Sequence, residues 1–230
     1  MCFHSIQTKR YNCTRLAIVP AFFIYGCNTS LWLNLFNLAV EHLTDHHSPD
    51  MLELRVNELI TLRQLQPADA APLYKQIDAS RKSLRKFLPW VDYNTNEEHS
   101  VRFIQLMQRK AEEQEAMALG IWYQQQLCGV MDLHGWDHLL QKAEIGYWVS
   151  EAFQRKGIAT ASCKALITFA FKKLRLNKIE IRFVLQNERS AQIPIRLGFT
   201  KEGILRHSAK LHGQYVDMVV MGVLREDWKF

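Results

Sequence analysis

The sequence lacks the cysteine pattern that would indicate a disulfide framework or a structural zinc site. Its 230 residues contain five cysteines, an odd number, and no two of them form a Cys-x-x-Cys pair. Disulfide-rich secreted domains and zinc sites are recognised by even counts and by such spacings. We therefore expect no metal site, and a reducing compartment, the cytoplasm, is favoured. The cysteines are Cys2, Cys13, Cys27, Cys128 and Cys163.

A hydrophobic run long enough to cross a membrane is also missing near the start of the chain. The apolar segment LAIVPAFFIYGC covers residues 16–27 only, whereas a transmembrane helix needs about 20 apolar residues. Basic residues before a short apolar run resemble a signal peptide, so a signal peptide or an anchor stays an alternative. We favour an N-terminal extension, poorly structured or upstream of the native start, with Met51 as the working start. No membrane partner is expected.

Charge is sparse in residues 1–50, where three basic and three acidic side chains cancel. The net charge of +6 therefore belongs entirely to residues 51–230. A basic domain suits an anionic partner, and charge alone does not choose among nucleic acid, a phosphorylated cofactor and an acidic protein. No nucleic-acid-binding motif accompanies the charge, so no direct nucleic acid partner is expected. The histidines His42, His46 and His47 lack ligand partners at a useful spacing and are predicted to be solvated.

Regular periodicity begins after Met51 and predicts a mixed α/β domain around one sheet. Pro67 marks one helix start, and Thr95 with Glu98 forms a capping box for a helix to about residue 113. Gln124-Gln125 is predicted to join two strands, and Ile158–Leu174 is predicted to be a helix. A further short helix is expected to end at Gly198. The predicted strands cover residues 58–65, 116–124, 126–134, 143–150, 178–185, about 200–210 and 215–224.

The segment QRKGIA, residues 154–159, places two cations and a glycine between a predicted strand and a predicted helix. The first N–H groups of a helix have no partners within it, and the helix dipole favours an anion there. Gly157 allows the backbone to approach a phosphate without a Cβ clash, and Ala159 keeps the next turn small. Arg155 and Lys156 add attraction for an anion. By itself the motif is weak, because a glycine near a helix start is more often simply a turn.

The context of this turn resembles the GNAT superfamily of acyl-CoA-dependent N-acyltransferases, and within it the RimJ/RimL-type ribosomal-protein acetyltransferases. The resemblance runs from Met51 to Trp228 and leaves residues 1–50 uncovered. It implies the GNAT fold for residues 51–230, an α/β fold whose mixed, mostly antiparallel sheet is splayed at its centre and flanked by helices. The motifs, in order, are LPWVD, GIWYQQQLCGV, AEIGYWVSEAFQRKGIATASCKALITFAFKKL, KIEIRFVLQNERSAQIPIRLGFTKEGILR and HGQYVDMVVMGVL.

The resemblance also implies roles for individual residues toward acetyl-CoA, the co-substrate. An N–H group near Val149 would stabilise the oxyanion that develops at the thioester. Asn187 would hold the cofactor arm and the substrate amide, and Ser190 would protonate the departing thiolate. Without the resemblance, Asn187 and Ser190 are typical of helix capping, and both roles can coexist. The expected cofactor-binding residues are Trp148, Val149, Ser150, Arg155, Lys156, Gly157, Ile158, Ala159, Thr160 and Asn187.

The general base is less clearly marked in the sequence. Glu144 begins the strand that leads to the cofactor and could accept the amine proton directly or through water. A salt bridge across strands is equally expected for Glu144. Asp132 and His134 are weaker candidates. Cys128 and Cys163 are expected in the core, which favours direct transfer to the amine over an acyl-enzyme.

The acceptor side is the least determined part of the predicted site. Trp90 would lie at the acceptor cleft in relatives, and His134 and Tyr215 are expected to contribute, with simple packing as the alternative. An α-amino group has a pKa of about 8 and a lysine amine about 10.4. More of an α-amino group is therefore neutral at neutral pH, so it needs a less effective general base. A chain without a clearly marked general base therefore favours amino-terminal amines as acceptors.

The expected function is acetyl transfer from acetyl-CoA to the N-terminal α-amine of a protein such as a ribosomal protein. Two alternatives stay open. One is an acetyltransferase for a small amine, such as a polyamine, an aminoglycoside-like drug or a metabolite. The other is a non-catalytic acyl-CoA-binding module. The protein is expected to be a monomer or a homodimer.

Overall fold

The computed structural model describes residues 51–230; the apolar run at 16–27 and the three histidines near it lie outside them. Residues 51–230 form an eight-stranded sheet in the order β1-β2-β3-β4-β5-β6-β8-β7, with helices on both faces. The strands are β1 Glu53–Arg55, β2 Ile60–Gln64, β3 Met117–Tyr123, β4 Gln126–Asp137, β5 Lys142–Val149, β6 Lys178–Val184, β7 Thr200–Leu211 and β8 Gln214–Leu224. The helices are α1 Ala70–Ala79, α2 Arg81–Leu84, α3 Glu97–Glu112, α4 Ile158–Lys172 and α5 Glu188–Arg196. Across this part of the chain, no helix has the length and apolarity to cross a membrane.

The predicted GNAT fold is confirmed, with two local differences. The capping box at Thr95 is wrong, because α3 begins at Glu97 and its cap is Asn96, whose side chain accepts from the His99 N–H at 3.1 Å. Asparagine ranks above threonine as an N-cap, which explains the shift by one residue. The short strand β1 and the one-turn helix α2 had not been predicted, since neither is long enough to show a period.

The sheet is splayed between β5 and β6. These parallel strands pair at three positions only, from Lys142 opposite Lys178 to Glu144 opposite Glu180. Beyond them β5 stays paired with β4 while β6 stays paired with β8. The connection from β5 to β6 runs through α4, as a parallel pair requires. A gap therefore opens beside residues 145–149 of β5.

Two apolar layers cover the sheet. On one face, α1 and α3 contribute Leu73, Ile77 and Ile104 to a cluster with Val130 of β4. On the other face lies α4, which is buried around most of its circumference, as expected for a helix that is apolar on nearly all sides. Cys163 of α4 lies in this larger cluster.

Cys128 and Cys163 are both fully buried, which confirms their predicted place in the core. Burial raises the pKa of the Cys128 thiol to about 12 and raises that of Cys163 further. Because the thiolate is the nucleophilic form, neither cysteine is activated for catalysis.

The β3–β4 hairpin turns through two glutamines in left-handed conformation. Gln124 has φ 49° and Gln125 has φ 64°. Two-residue hairpin turns with positive φ at both positions favour Asn-Gly, whereas other residues cost about 1–2 kcal/mol each in this conformation.

We expect the double substitution Gln124→Asn with Gln125→Gly to raise the free energy of unfolding by about 1–2 kcal/mol, because it relieves this strain. Urea denaturation of the full chain measures the change. Gln126→Asn, one position further and within β4, is the matched control and should not stabilise the protein. An unchanged denaturation midpoint in the double variant would contradict the strain argument.

Candidate active site

The turn that follows β5 carries a group of backbone N–H donors that have no acceptor among the described residues 51–230. Arg155 has φ 63° and Gly157 has φ 76°, so left-handed residues alternate just before α4. The first helical bond is from the Ala161 N–H to the Gly157 carbonyl. Within residues 51–230, no acceptor is bonded to the N–H groups of residues 155–160. Such a concave set of donors, at the positive end of a 15-residue helix, is suited to a phosphate anion.

Gly157 is needed for its conformation rather than for space. A Cβ at this position would meet no atom within 4 Å, but the positive φ disfavours any L side chain. The Lys156 ammonium lies 5.2 Å from the Phe153 ring centroid and 5.6 Å from that of Tyr123. The cation is therefore held beside the turn by aromatic rings.

The edge of β5 that faces the gap presents main-chain groups of alternate residues. The Ser150 N–H donates to the Cys128 carbonyl of β4, so Ser150 points toward β4. By the alternation of an antiparallel ladder, Trp148 also bonds toward β4, whereas Tyr147 and Val149 direct their main-chain groups away from β4. The Val149 carbonyl accepts from the Gln154 side-chain amide at 2.9 Å, so its N–H is the group left facing the gap. Of the expected cofactor-binding residues Trp148, Val149 and Ser150, Val149 therefore has its main-chain N–H on the open side.

Asn187 and Ser190 lie together at the start of α5. The Asn187 side chain accepts from the Ser190 N–H at 3.2 Å, so capping, one of the two predicted roles, is observed. The Ser190 hydroxyl lies 3.2 Å from the hydroxyl of Tyr147, which also donates to the Ser190 carbonyl at 3.1 Å. Burial raises the pKa of the Tyr147 phenol well above its usual value.

Tyr147 is a residue that sequence reasoning missed. Its position was detectable in part, because it shares a face of β5 with Val149 two residues later. Its contact with Ser190 spans 43 residues, and nothing in the local pattern indicates such a pairing.

A second missed residue is Ser80, at the end of α1. Its side chain is buried, with 1% of the residue exposed. The Ser80 hydroxyl lies 2.9 Å from that of Ser150 and accepts from the Glu151 N–H at 2.9 Å. Ser80 thus ties the helices on one face of the sheet to the end of β5.

Glu144 lies in a network of charges where β5 and β6 begin to separate. Its carboxylate is 3.1 Å from the Arg182 guanidinium and 3.8 Å from the His134 ring. The salt bridge across strands, one of its two predicted roles, is therefore present. His134 also bonds to Asp132, and this hydrogen bond raises the pKa of the imidazole. A histidine with a raised pKa is protonated over a wider pH range, so less of it is in the neutral form that accepts a proton.

The predicted acceptor residues do not all lie together. Trp90, in the short 3-10 turn Pro89–Asp92, packs against Trp148 of β5 with ring centroids 6.1 Å apart. Tyr215, which is 65% exposed, stacks instead on His207 within the β7–β8 hairpin. Trp90 therefore adjoins the β5 strand, whereas Tyr215 belongs to the hairpin.

Residues 51–230 contain no group of three histidine, cysteine or acidic side chains placed to hold a metal ion.

Comparison with known proteins gives consistent matches. A family profile described as an acetyltransferase (GNAT) domain matches residues 60–200. YdaF of Bacillus subtilis (strain 168), which is named provisionally as a ribosomal N-acetyltransferase, is 36% identical over 180 residues, 78% of this chain and 98% of that protein. The ribosomal-protein-serine acetyltransferase of Escherichia coli (strain K12) is 28% identical over 165 residues, 72% of this chain and 92% of that protein. The solved structure of the microcin C7 self-immunity acetyltransferase MccE, in complex with acetyl-CoA and AMP, is 29% identical with a TM-score of 0.72 and covers 74% of this chain and 95% of that one.

We expect NMR titration of His134 to give a pKa above the usual histidine value of about 6.5, because Asp132 stabilises the imidazolium. Asp132→Asn should lower this pKa, since the amide carries no charge. Asp78→Asn, a matched change at an exposed aspartate that pairs with Arg81, should leave the His134 titration unchanged.

The sign of the pH dependence follows from the raised pKa. The Asp132–His134 pair stabilises the fold fully below the unfolded-state pKa and loses this contribution as the pH rises through the folded-state pKa. Asp132→Asn should therefore reduce the free energy of unfolding more at acidic than at alkaline pH. A uniform loss at all pH values would contradict the assigned pairing.

Proposed function

The chain belongs to the GNAT acetyltransferase family, and we propose that it transfers an acetyl group from acetyl-CoA to the N-terminal α-amine of a protein such as a ribosomal protein. The observation that carries this proposal is the set of unpaired N–H donors at residues 155–160, beside the open edge of β5. The similar E. coli protein, named for acetylation of a ribosomal protein, supports a protein amino terminus as the acceptor.

The donor site fits acetyl-CoA by its chemistry. The N–H groups of residues 155–160 would hold the pyrophosphate, with Arg155 and Lys156 adding positive charge. The main chain of Val149 would receive the cofactor arm at the open edge, and its N–H would stabilise negative charge on the thioester oxygen. When bound, acetyl-CoA supplies the activated acetyl group. The complex of MccE with acetyl-CoA supports this choice of co-substrate.

Proton transfer is assigned to Ser190 and Glu144. As the C–N bond forms and the C–S bond breaks, the electron pair of the C–S bond goes to sulfur, the nitrogen loses one proton and the sulfur gains one. Ser190 would give its hydroxyl proton to the sulfur and recover one from water. Asn187 uses only its carbonyl oxygen to cap α5, so its amide NH₂ group would serve the cofactor arm. Glu144, positioned by Arg182, would take the amine proton through water.

The acceptor would enter on the side of Trp90 and Trp148, where a tryptophan face also suits an ammonium group. His134 on β4 and Tyr215 on the β7–β8 hairpin would contact the acceptor apart from the two tryptophans. Because acetyl-CoA is a cytosolic metabolite, the proposed reaction places the protein in the cytoplasm.

An acceptor panel tests the function directly. With acetyl-CoA and the full chain, we expect thiol release with peptides that carry free Ser or Ala amino termini and none with amino-blocked lysine peptides, because a neutral amine is far more abundant for an α-amino group. Release with polyamines alone would replace the proposal with the small-amine alternative. Acetyl-CoA binding without release from any acceptor would support the binding-module alternative.

The role of Ser190 gives a separate prediction. Ser190→Ala should lower kcat by about 100-fold, because no group then protonates the thiolate, and should change the KM for acetyl-CoA little. Steady-state thiol release measures both constants. The capping bond uses the backbone N–H of residue 190 and is kept, so the melting temperature should fall only by the loss of the contact between the Ser190 and Tyr147 hydroxyls. A variant with full kcat would exclude Ser190 as the acid.

A further inference from the structure

The helix that carries Ser190 lacks one of its own hydrogen bonds. In an α-helix the carbonyl of residue 190 accepts from the N–H of residue 194. Residue 194 is a proline, which has no N–H and whose ring displaces that carbonyl. The hydroxyl of Tyr147 donates to the Ser190 carbonyl instead, at 3.1 Å. Strand β5 therefore supplies the donor that α5 cannot.

The bond from Tyr147 to the Ser190 carbonyl determines which group is the donor in the contact between the two hydroxyls. A phenol has one proton to donate and an oxygen that accepts. Because the Tyr147 proton points to the Ser190 carbonyl, the contact of 3.2 Å between the two hydroxyls has Ser190 as the donor. The Ser190 N–H is held by Asn187 at the same time. Ser190 is thus fixed through its N–H, its carbonyl and its hydroxyl.

We propose that Tyr147 is a positioning residue that holds the Ser190 hydroxyl beside the open edge of β5, with its proton ready to be redirected to the departing sulfur. The inference rests on the proposed function, in which Ser190 protonates the thiolate. Rotation about one C–O bond moves the Ser190 proton away from Tyr147 toward the gap. The Ser190 oxygen does not have to move.

Tyr147 itself is poorly suited to transfer a proton. Its only proton is engaged by the Ser190 carbonyl. Burial raises the pKa of the phenol, so it is neutral when it donates to this carbonyl. Its loss should therefore cost less activity than the loss of Ser190.

A double-mutant cycle on the full chain tests the coupling. We expect Tyr147→Phe to lower kcat by about tenfold, the worth of one or two hydrogen bonds, with the KM for acetyl-CoA unchanged. In the Ser190→Ala background, Tyr147→Phe should cause no further loss, because the group it positions is gone. Tyr74→Phe is the matched control: it also removes a hydroxyl that donates to a carbonyl, that of Thr95 at 2.9 Å, and should leave kcat unchanged.

A binding measurement gives a second readout without turnover. Titration of enzyme-bound CoA, followed by thiolate absorbance, should show a lowered thiol pKa, because a donated hydrogen bond favours the thiolate. Tyr147→Phe and Ser190→Ala should both reduce this shift. An unchanged bound-thiol pKa in Tyr147→Phe would overturn the positioning role.

Pro194 separates positioning from simple stability. Pro194→Ala restores a backbone N–H for the Ser190 carbonyl, so Tyr147→Phe with Pro194→Ala should recover the melting temperature lost in Tyr147→Phe. The kcat should stay low, because the Ser190 hydroxyl still lacks its partner. Recovery of kcat as well would overturn the inference.

The outcomes distinguish the two proposals. Full kcat in Ser190→Ala removes the acid role and this inference with it. A low kcat in Ser190→Ala, with an additive loss from Tyr147→Phe, overturns only the role of Tyr147.

Discussion

The separation of β5 from β6 after three paired positions is the constraint on which the rest of the structure depends. Buried main-chain donors and acceptors are almost always paired, and leaving them unpaired costs free energy. Here the main-chain groups of Tyr147 and the N–H of Val149 face a gap, and the N–H groups of residues 155–160 follow at the end of β5. A long ligand with a phosphate at one end and amide groups along its arm satisfies both sets. Binding of such a ligand to the native state would stabilise the fold by an amount that grows with the ratio of its free concentration to its Kd.

The point at which the strands diverge is held by charge. Glu180, which is 4% exposed, pairs with Lys178 and Arg182 at 2.9 Å each. Burial alone would raise the pKa of Glu180, but the hydrogen bonds from these two cations outweigh it and lower the pKa. Arg182 also reaches Glu144 on β5. Removing one member of such a cluster leaves the other charges uncompensated. The intact cluster therefore stabilises the last paired position of β5 and β6, after which the gap begins.

Local patterns in the sequence predict the elements better than the contacts between them. Period-two alternation predicts Ile179, Ile181, Phe183 and Leu185 on one face of β6, because half-buried strands repeat every two residues. The first three are buried, whereas Leu185 follows the end of β6 and is 42% exposed. Local periodicity cannot predict the contact between Ser80 and Ser150, because these residues are 70 positions apart in the sequence. The hydrogen bond to the Ser190 carbonyl is predictable from the sequence in part. Pro194 shows from the sequence that this carbonyl needs a donor, and only the fold identifies Tyr147 as that donor.

The two sides of the gap differ in how firmly they hold their side chains. On the donor side, Ser190 is fixed through three groups and Tyr147 is buried. On the side proposed for the acceptor, Tyr215 is 65% exposed. The hairpin there meets the α2 region through a bond between the His212 ring and the Arg85 carbonyl at 2.8 Å. The groups proposed to act on acetyl-CoA are thus held by several hydrogen bonds and by burial, whereas Tyr215, proposed to contact the acceptor, is held mainly by stacking on His207.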